Sequence, residues 1–446
     1  MTGTPTPLRV VVAGGGVGAV EAVLALRALA GARVELELVA PEAEFVDRPV
    51  AVAEPFDDVP PLRFPLARLH ATHGVRHRTD RLVGVDAARR RVRLAGGEDL
   101  AYDALVVATG AQPEPWLEGA LAFRGSPDVP AYRDLLAGLE QGAIGHVLYA
   151  APPRLGWTLP LYELALLTTA WMAERGVIGA RLTLATPDPE PLSAFGATAS
   201  RGVRDLLGDR GVELVTGRSA ELQPDGAVAL GRLGKLRPDR IVTLPRLVGR
   251  PPDGLPRDSE GFIPVDEHHA VRGVQDVYAV GDVAAVPFKQ GGLAAQEADA
   301  AAAAIAARAG GPVTPDPFTP VLRGILLTGV TAAYLREGGT GHPRVGYATS
   351  WTGPLKVAAR HLSAYLARGE ETPRDVPALS RQALEFAHAD ARWGDLRSAV
   401  AWLEVVEAIQ GGLDDSLRHE RQGWLRQLAA EPAPESPGAP SLAGRR

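Results

Sequence analysis

The sequence contains no cysteine. Disulfide relays, thiolate nucleophiles and cysteine-ligated zinc or iron–sulfur centres are therefore excluded. Lysine is nearly missing as well: Lys235, Lys289 and Lys356 are the three in the chain, and arginine carries the remaining positive charge. No apolar run reaches the roughly 18 residues that a spanning helix needs. The formal net charge of −6 argues against nucleic acid as the main partner and against a broadly basic membrane-binding face. The ten histidines show no metal-ligand spacing, so no metal is expected. The first strand begins by Leu8, leaving no room for a cleaved signal peptide, and a cytoplasmic protein is expected. At 446 residues, 46% hydrophobic and 22% charged, the chain has the composition of a soluble protein of two or three domains.

What is present centres on the run Val-Tyr-Ala-Val-Gly-Asp at 277–282. It reads as a short buried strand ending in Gly281 and Asp282. A glycine-rich turn follows, then Gly292, Leu293 and Ala294 open an alanine-rich helix expected over 293–309. A carboxylate at a strand end can accept hydrogen bonds from sugar hydroxyls, and glycines let the backbone approach a flat ring. The helix N-terminus behind them offers unpaired N–H groups and partial positive charge. Such a set suits a flavin.

Near the start, the strand at 8–13 runs into Gly14, Gly15, Gly16, Val17, Gly18 and Ala19 before an apolar helix. Gly14-x-Gly16-x-x-Ala19 fits the dinucleotide fingerprint. Gly14 makes the tight turn, Gly16 admits a pyrophosphate, and Ala19 lets helix and strand pack closely. The acid expected after the second strand (34–39) is replaced by Ala40, so Glu42 becomes the candidate for the ribose. Arg48, in the Pro-rich stretch that follows, is counted with the cofactor-binding residues. A hairpin is expected over 75–94, its many arginines forming a solvated face. A further buried strand closes at Thr109 and Gly110.

A second strand–loop–helix–strand unit starts at 145, with its helix expected over 161–175. Its loop reads Ala151-Pro152-Pro153-Arg154-Leu155-Gly156-Trp157-Thr158. Prolines remove N–H donors, and the glycine spacing that admits a pyrophosphate is missing. Tight binding of NAD(P)H is not expected from this loop.

Together these motifs resemble the FAD-dependent pyridine nucleotide-disulfide oxidoreductase superfamily over roughly 8–370, in the branch of sulfide:quinone oxidoreductases and type II NADH dehydrogenases. The resemblance implies an α/β fold of two Rossmann-like dinucleotide-binding domains. The expected divisions are FAD-binding segments at 8–112 and 241–312, an NAD-like domain at 113–240 and a flavin-covering region at 313–372. A helical tetratricopeptide-like appendix at 373–430 and a disordered tail at 431–446 complete the chain. It implies that Gly14, Gly16 and Ala19 cradle the pyrophosphate, with Thr109 and Gly110 near the nucleotide. Asp282 would bind the ribityl hydroxyls, and Gly292 to Ala294 would face the ring.

By the same resemblance Glu163 could relay a proton, against an alternative as a helix-start carboxylate. Lys289 and Lys356 fall in segments expected near the isoalloxazine, where a cation would stabilise negative charge on the reduced ring. The segment from Pro317 to Gly369, in which Trp351-Thr352-Gly353-Pro354-Leu355-Lys356 precedes a helix, would pack over the flavin and shape the acceptor site. The expected activity is FAD-dependent electron transfer to a quinone or similar small acceptor without a cysteine relay. Two other readings stay open: an NAD(P)H dehydrogenase that takes NAD(P)H as a transient donor, and a non-catalytic flavoprotein acting through a partner. Peripheral membrane contact, a homodimer, or a protein partner bound through the appendix also stay open. A single repeat should dock its apolar face on the body or on another chain.

Overall fold

The computed structural model describes residues 6–56, 61–153, 156–231, 234–329, 332–336, 345–346, 356–357, 359–367, 376–392, 394 and 396–430. Arg154, Leu155, the run Trp351 to Leu355, Trp393, Asp395 and the 431–446 tail lie outside them.

Apolar runs at 8–13, 104–107 and 277–279 can be buried on both faces, which suits the interior of a parallel sheet. They form one. In spatial order the strands are Val277–Ala279, Ala104–Val107, Leu8–Ala13, Val34–Ala40 and Arg76–Thr79, all parallel. The helices Val17–Ala30 and Gly291–Arg308 pack on this sheet in a common core that includes Ala19, Ala22, Ala298 and Ala302. Small side chains let the two helices come close. The second helix begins two residues before its expected start because the Gln290 side chain caps it, accepting from Leu293 N–H at 2.7 Å.

The hairpin expected over 75–94 is divided. Arg76–Thr79 joins the parallel sheet as its edge, and the antiparallel pairing falls to Leu82–Asp86, Arg91–Leu94 and Asp99–Ala101. Glu37 on the adjacent strand accounts for the shift, taking Arg78 at 2.9 Å and Arg76 at 3.4 Å. Charged side chains also protect a sheet edge from further pairing.

The chain leaves the first sheet after Val107 and returns to it at Val277. In between it builds a second parallel sheet ordered Leu121–Ala122, Arg240–Thr243, His146–Ala150, Arg181–Ala185 and Val212–Val215. Leu159–Glu174 and Ala197–Asp209 are its crossover helices. An antiparallel sheet then opens with Arg323–Leu327 and Ala332–Arg336. The α/β architecture of two Rossmann-like sheets is the one expected.

The chain divides into two compact units, 1–374 and 375–446. The smaller contains helices Val376–Arg392, Leu396–Gln410 and Asp415–Ala430. Ala387, Ala399, Trp402 and Leu403 are buried, and the rings of Phe386 and Trp402 lie 4.9 Å apart. Among the described residues no helix is long and apolar enough to cross a membrane.

Candidate functional site

The C-terminal ends of the first sheet's strands open onto a cavity of about 770 Å³. That is large for a small-molecule site, where roughly 300–1,000 Å³ is usual. Gly14, Gly16, Val17 and Gly18 form one wall, and Glu42, Arg48, Thr109, Gly110, Gly281 and Asp282 also border it. Gly14 has φ +136°, and a Cβ there would sit 2.1 Å from Ala108 O, so no other residue fits the turn. A Cβ on Gly16 would meet nothing within 4 Å. The open face of Gly16 is the space a phosphate needs beside a helix N-terminus.

Asp282 stands at the floor of this cavity, and among the described residues no hydrogen-bond donor reaches its carboxylate. Burial pushes its pKa up, with Lys289 and Arg48 opposing. A half-buried carboxylate that borders the cavity and receives no donor from the described residues suits a ligand hydroxyl or amide. Lys289 Nζ lies 3.8 Å above the Phe262 ring and donates to Ala284 O. Burial lowers its pKa, offset chiefly by Asp282 and Glu297. These features fit a flavin dinucleotide: an open phosphate cradle, a carboxylate free for a polyhydroxy chain, and two cations, Lys289 and Arg48, beside that carboxylate.

Glu163 and Lys356, 193 residues apart, meet in the same cavity. Lys356 Nζ donates to Glu163 Oε2 at 2.8 Å and to Pro49 O at 2.6 Å, while Leu327 N donates to Glu163 Oε1 at 3.0 Å. Side-chain exposure is 6% for Lys356 and 0% for Glu163. Burial raises the pKa of Glu163, and Lys356 opposes the rise. The carboxylate is thus the partner of a buried ammonium rather than a helix cap. Four chain segments meet at this pair.

The second loop is built differently. Ala151 N–H is taken by Ala185 O at 2.9 Å, and Pro152 and Pro153 have no N–H to give. A Cβ on Gly156 would lie 2.0 Å from Pro287 O, so this glycine serves a backbone contact instead of an open cradle. Trp157 borders the main cavity and meets Phe195 edge-on at 5.7 Å.

Several placements were not legible in advance. Ala19 is wholly buried in the core, and Gly292 and Leu293 do not border the cavity, whereas Ala294 does. Gln290, Trp157 and Arg124 border it without having been singled out. Glu297 was also missed, although an acid in the alanine face of the helix is a visible anomaly.

A family model of the pyridine nucleotide-disulphide oxidoreductases matches residues 8–137 and 167–307. An NADH dehydrogenase-like protein of Mycobacterium tuberculosis is 31% identical over 297 residues, which span 62% of this chain and 73% of that protein. Among solved structures, the sulfide:quinone oxidoreductase of Aquifex aeolicus is similar with a TM-score of 0.65 and 21% identity, covering 76% of this chain and 85% of that one. NDH2 of Plasmodium falciparum, solved in complex with NADH, is similar with a TM-score of 0.59 and 11% identity, covering 74% and 92%. These two structures bear on the fold. With more than half its length matched, the chain belongs to the pyridine nucleotide-disulphide oxidoreductase family of FAD-binding, flavin-dependent oxidoreductases.

Proposed function

We propose that the protein passes an electron pair through FAD to a quinone or similar small planar acceptor, with no cysteine relay. The observation that carries this reading is the cavity itself. It joins an open phosphate cradle and the Asp282 carboxylate to the apolar side chains of Trp157, Leu159 and Ile325 and to the Glu163–Lys356 pair. Bound FAD supplies a ring that takes up a hydride or two electrons and gives them on. Asp282 would accept hydrogen bonds from the ribityl hydroxyls, and the Gly16 turn would receive the pyrophosphate. Lys289 and Lys356, which also line the cavity, would offset negative charge on the reduced ring. Glu163 Oε2 and Lys356 Nζ share a proton that can serve a reduced acceptor.

The second reading, an NAD(P)H dehydrogenase, is favoured by the mycobacterial relative named NADH dehydrogenase-like. Pro152 and Pro153, which have no N–H to give, and Gly156, held against Pro287 O, count against it. Anaerobic stopped-flow bleaching of the flavin absorbance with NADH and then NADPH separates the two. The expected result is slow, non-saturating bleaching by either nucleotide, with normal reduction by dithionite and reoxidation by a short-chain quinone. Fast, saturable bleaching would transfer the assignment to the second reading. Failure of every donor and acceptor, with FAD retained, would support a non-catalytic flavoprotein.

A further inference from the structure

We propose that Glu297 is a positioning residue for FAD: its neutral carboxyl holds the Gly281–Asp282 turn in place, and its ionisation weakens retention of the cofactor. The inference rests on FAD as the family's cofactor. Glu297 lies in the second turn of Gly291–Arg308, on a buried face otherwise made of alanines such as Ala294, Ala298 and Ala301. It is 1% exposed. Glu297 Oε2 accepts the Gly281 N–H at 2.6 Å. Gly281 has φ +72°, in the left-handed region that favours glycine, and opens the turn at 281–283 that holds Asp282. The carboxyl of Glu297 thus pins the residue that precedes the ribityl-binding acid.

The groups around Glu297 decide its charge. Asp282 and Lys289 act on it from the loop beside it. His269 Nδ1 lies 4.0 Å away on the loop that precedes Val277, and also lies 3.1 Å from Ala279 O. Burial lowers the His269 pKa to about 4, so at neutral pH the ring is uncharged and its Nδ1–H is directed to Ala279 O. Lys289 is therefore the cation that two carboxyls share, and Asp282, which also faces Arg48, is the better compensated of them. Burial raises the pKa of Glu297 to about 8, with Gly281 N–H and Lys289 opposing. Below that pH Glu297 is neutral.

Gly281 and Asp282 border the cavity and Glu297 lies behind them, so the negative charge of a diphosphate-bearing cofactor disfavours a carboxylate at Glu297. By linkage, retention is unaffected below the pKa and falls as pH rises through it. The dissociation constant should rise up to about tenfold per pH unit above about pH 8, because one proton must be taken up on binding.

The test follows release of FAD from diluted holoenzyme by the recovery of flavin fluorescence, between pH 6.5 and 9.5. Wild type should show a flat dissociation constant to about pH 8 and a rise above it. Glu297→Gln, which keeps an oxygen for Gly281 N–H and cannot ionise, should match wild type at pH 7 within about twofold and stay flat throughout. Glu297→Ala, lacking that oxygen, should release FAD more readily at every pH and also without a rise. The proposal is overturned by a flat wild-type profile, by an unchanged rise in Glu297→Gln, or by Glu297→Gln that loses FAD at pH 7 or fails to fold. Wild type that never binds FAD would instead strike the family's cofactor reading.

Discussion

The two glycine-bearing loops of this protein occupy the same place in two copies of one frame, strand then turn then helix, yet only the first leaves a glycine facing open space. At the first, Gly14 is forced by the approach of Ala108 O, and Gly16 faces open space. At the second, Gly156 is filled by Pro287 O and two prolines precede it. A βαβ frame supplies a helix N-terminus in both cases. What makes that terminus a binding site is an open backbone face and free N–H groups. The second helix instead carries Glu163 into the cavity.

The largest effect should come from that second helix. Glu163→Ala leaves the Lys356 ammonium buried at 6% exposure without a countercharge and should cost about 3–5 kcal/mol. Replacing both residues with methionine removes the orphaned charge as well, and stability should return to within about 1 kcal/mol of wild type. Urea unfolding followed by far-ultraviolet circular dichroism measures both. A single Glu163→Ala costing no more than a surface substitution would show that water reaches the pair.

The loops themselves provide the next contrast. Gly16→Val puts a side chain into empty space and should leave unfolding within about 0.5 kcal/mol of wild type, while FAD affinity falls at least about a hundredfold, or about 2.8 kcal/mol. Gly156→Ala should do the reverse. The clash with Pro287 O should cost about 1–3 kcal/mol of stability, with FAD affinity changing less than about tenfold. Equal flavin loss in both variants would erase the distinction between the loops.

The first sheet, the Gly-Asp turn and the proline-bearing second loop were all readable from sequence, because each is a local pattern: an apolar run, a glycine spacing, a pair of prolines. The edge strand Arg76–Thr79 was not. Arg78 reads as a solvated charge until Glu37, 41 residues away, is placed beside it. Glu163 and Lys356 were each legible as unusual, but their union depends on a contact across 193 residues. Glu297 shows the opposite failure. The acid was in plain view on an alanine face, and only burial against Gly281 gives it meaning.

The smallest expected effect compares the two helix starts. Gln290 accepts Leu293 N–H at 2.7 Å and donates to Arg323 O at 3.0 Å, so its side chain both caps the helix and ties it to the third sheet. Thr158 stands at the start of Leu159–Glu174 with no side-chain cap bond, and Pro160 in the first turn leaves one fewer N–H to satisfy. Gln290→Ala should therefore cost about 1 kcal/mol, and Thr158→Ala less than about 0.5. The two variants compared by urea midpoint in the same buffer decide it. If Thr158→Ala proves the costlier, its hydroxyl is needed at the second helix start, and that terminus retains a polar role that the prolines at 152 and 153 do not suggest.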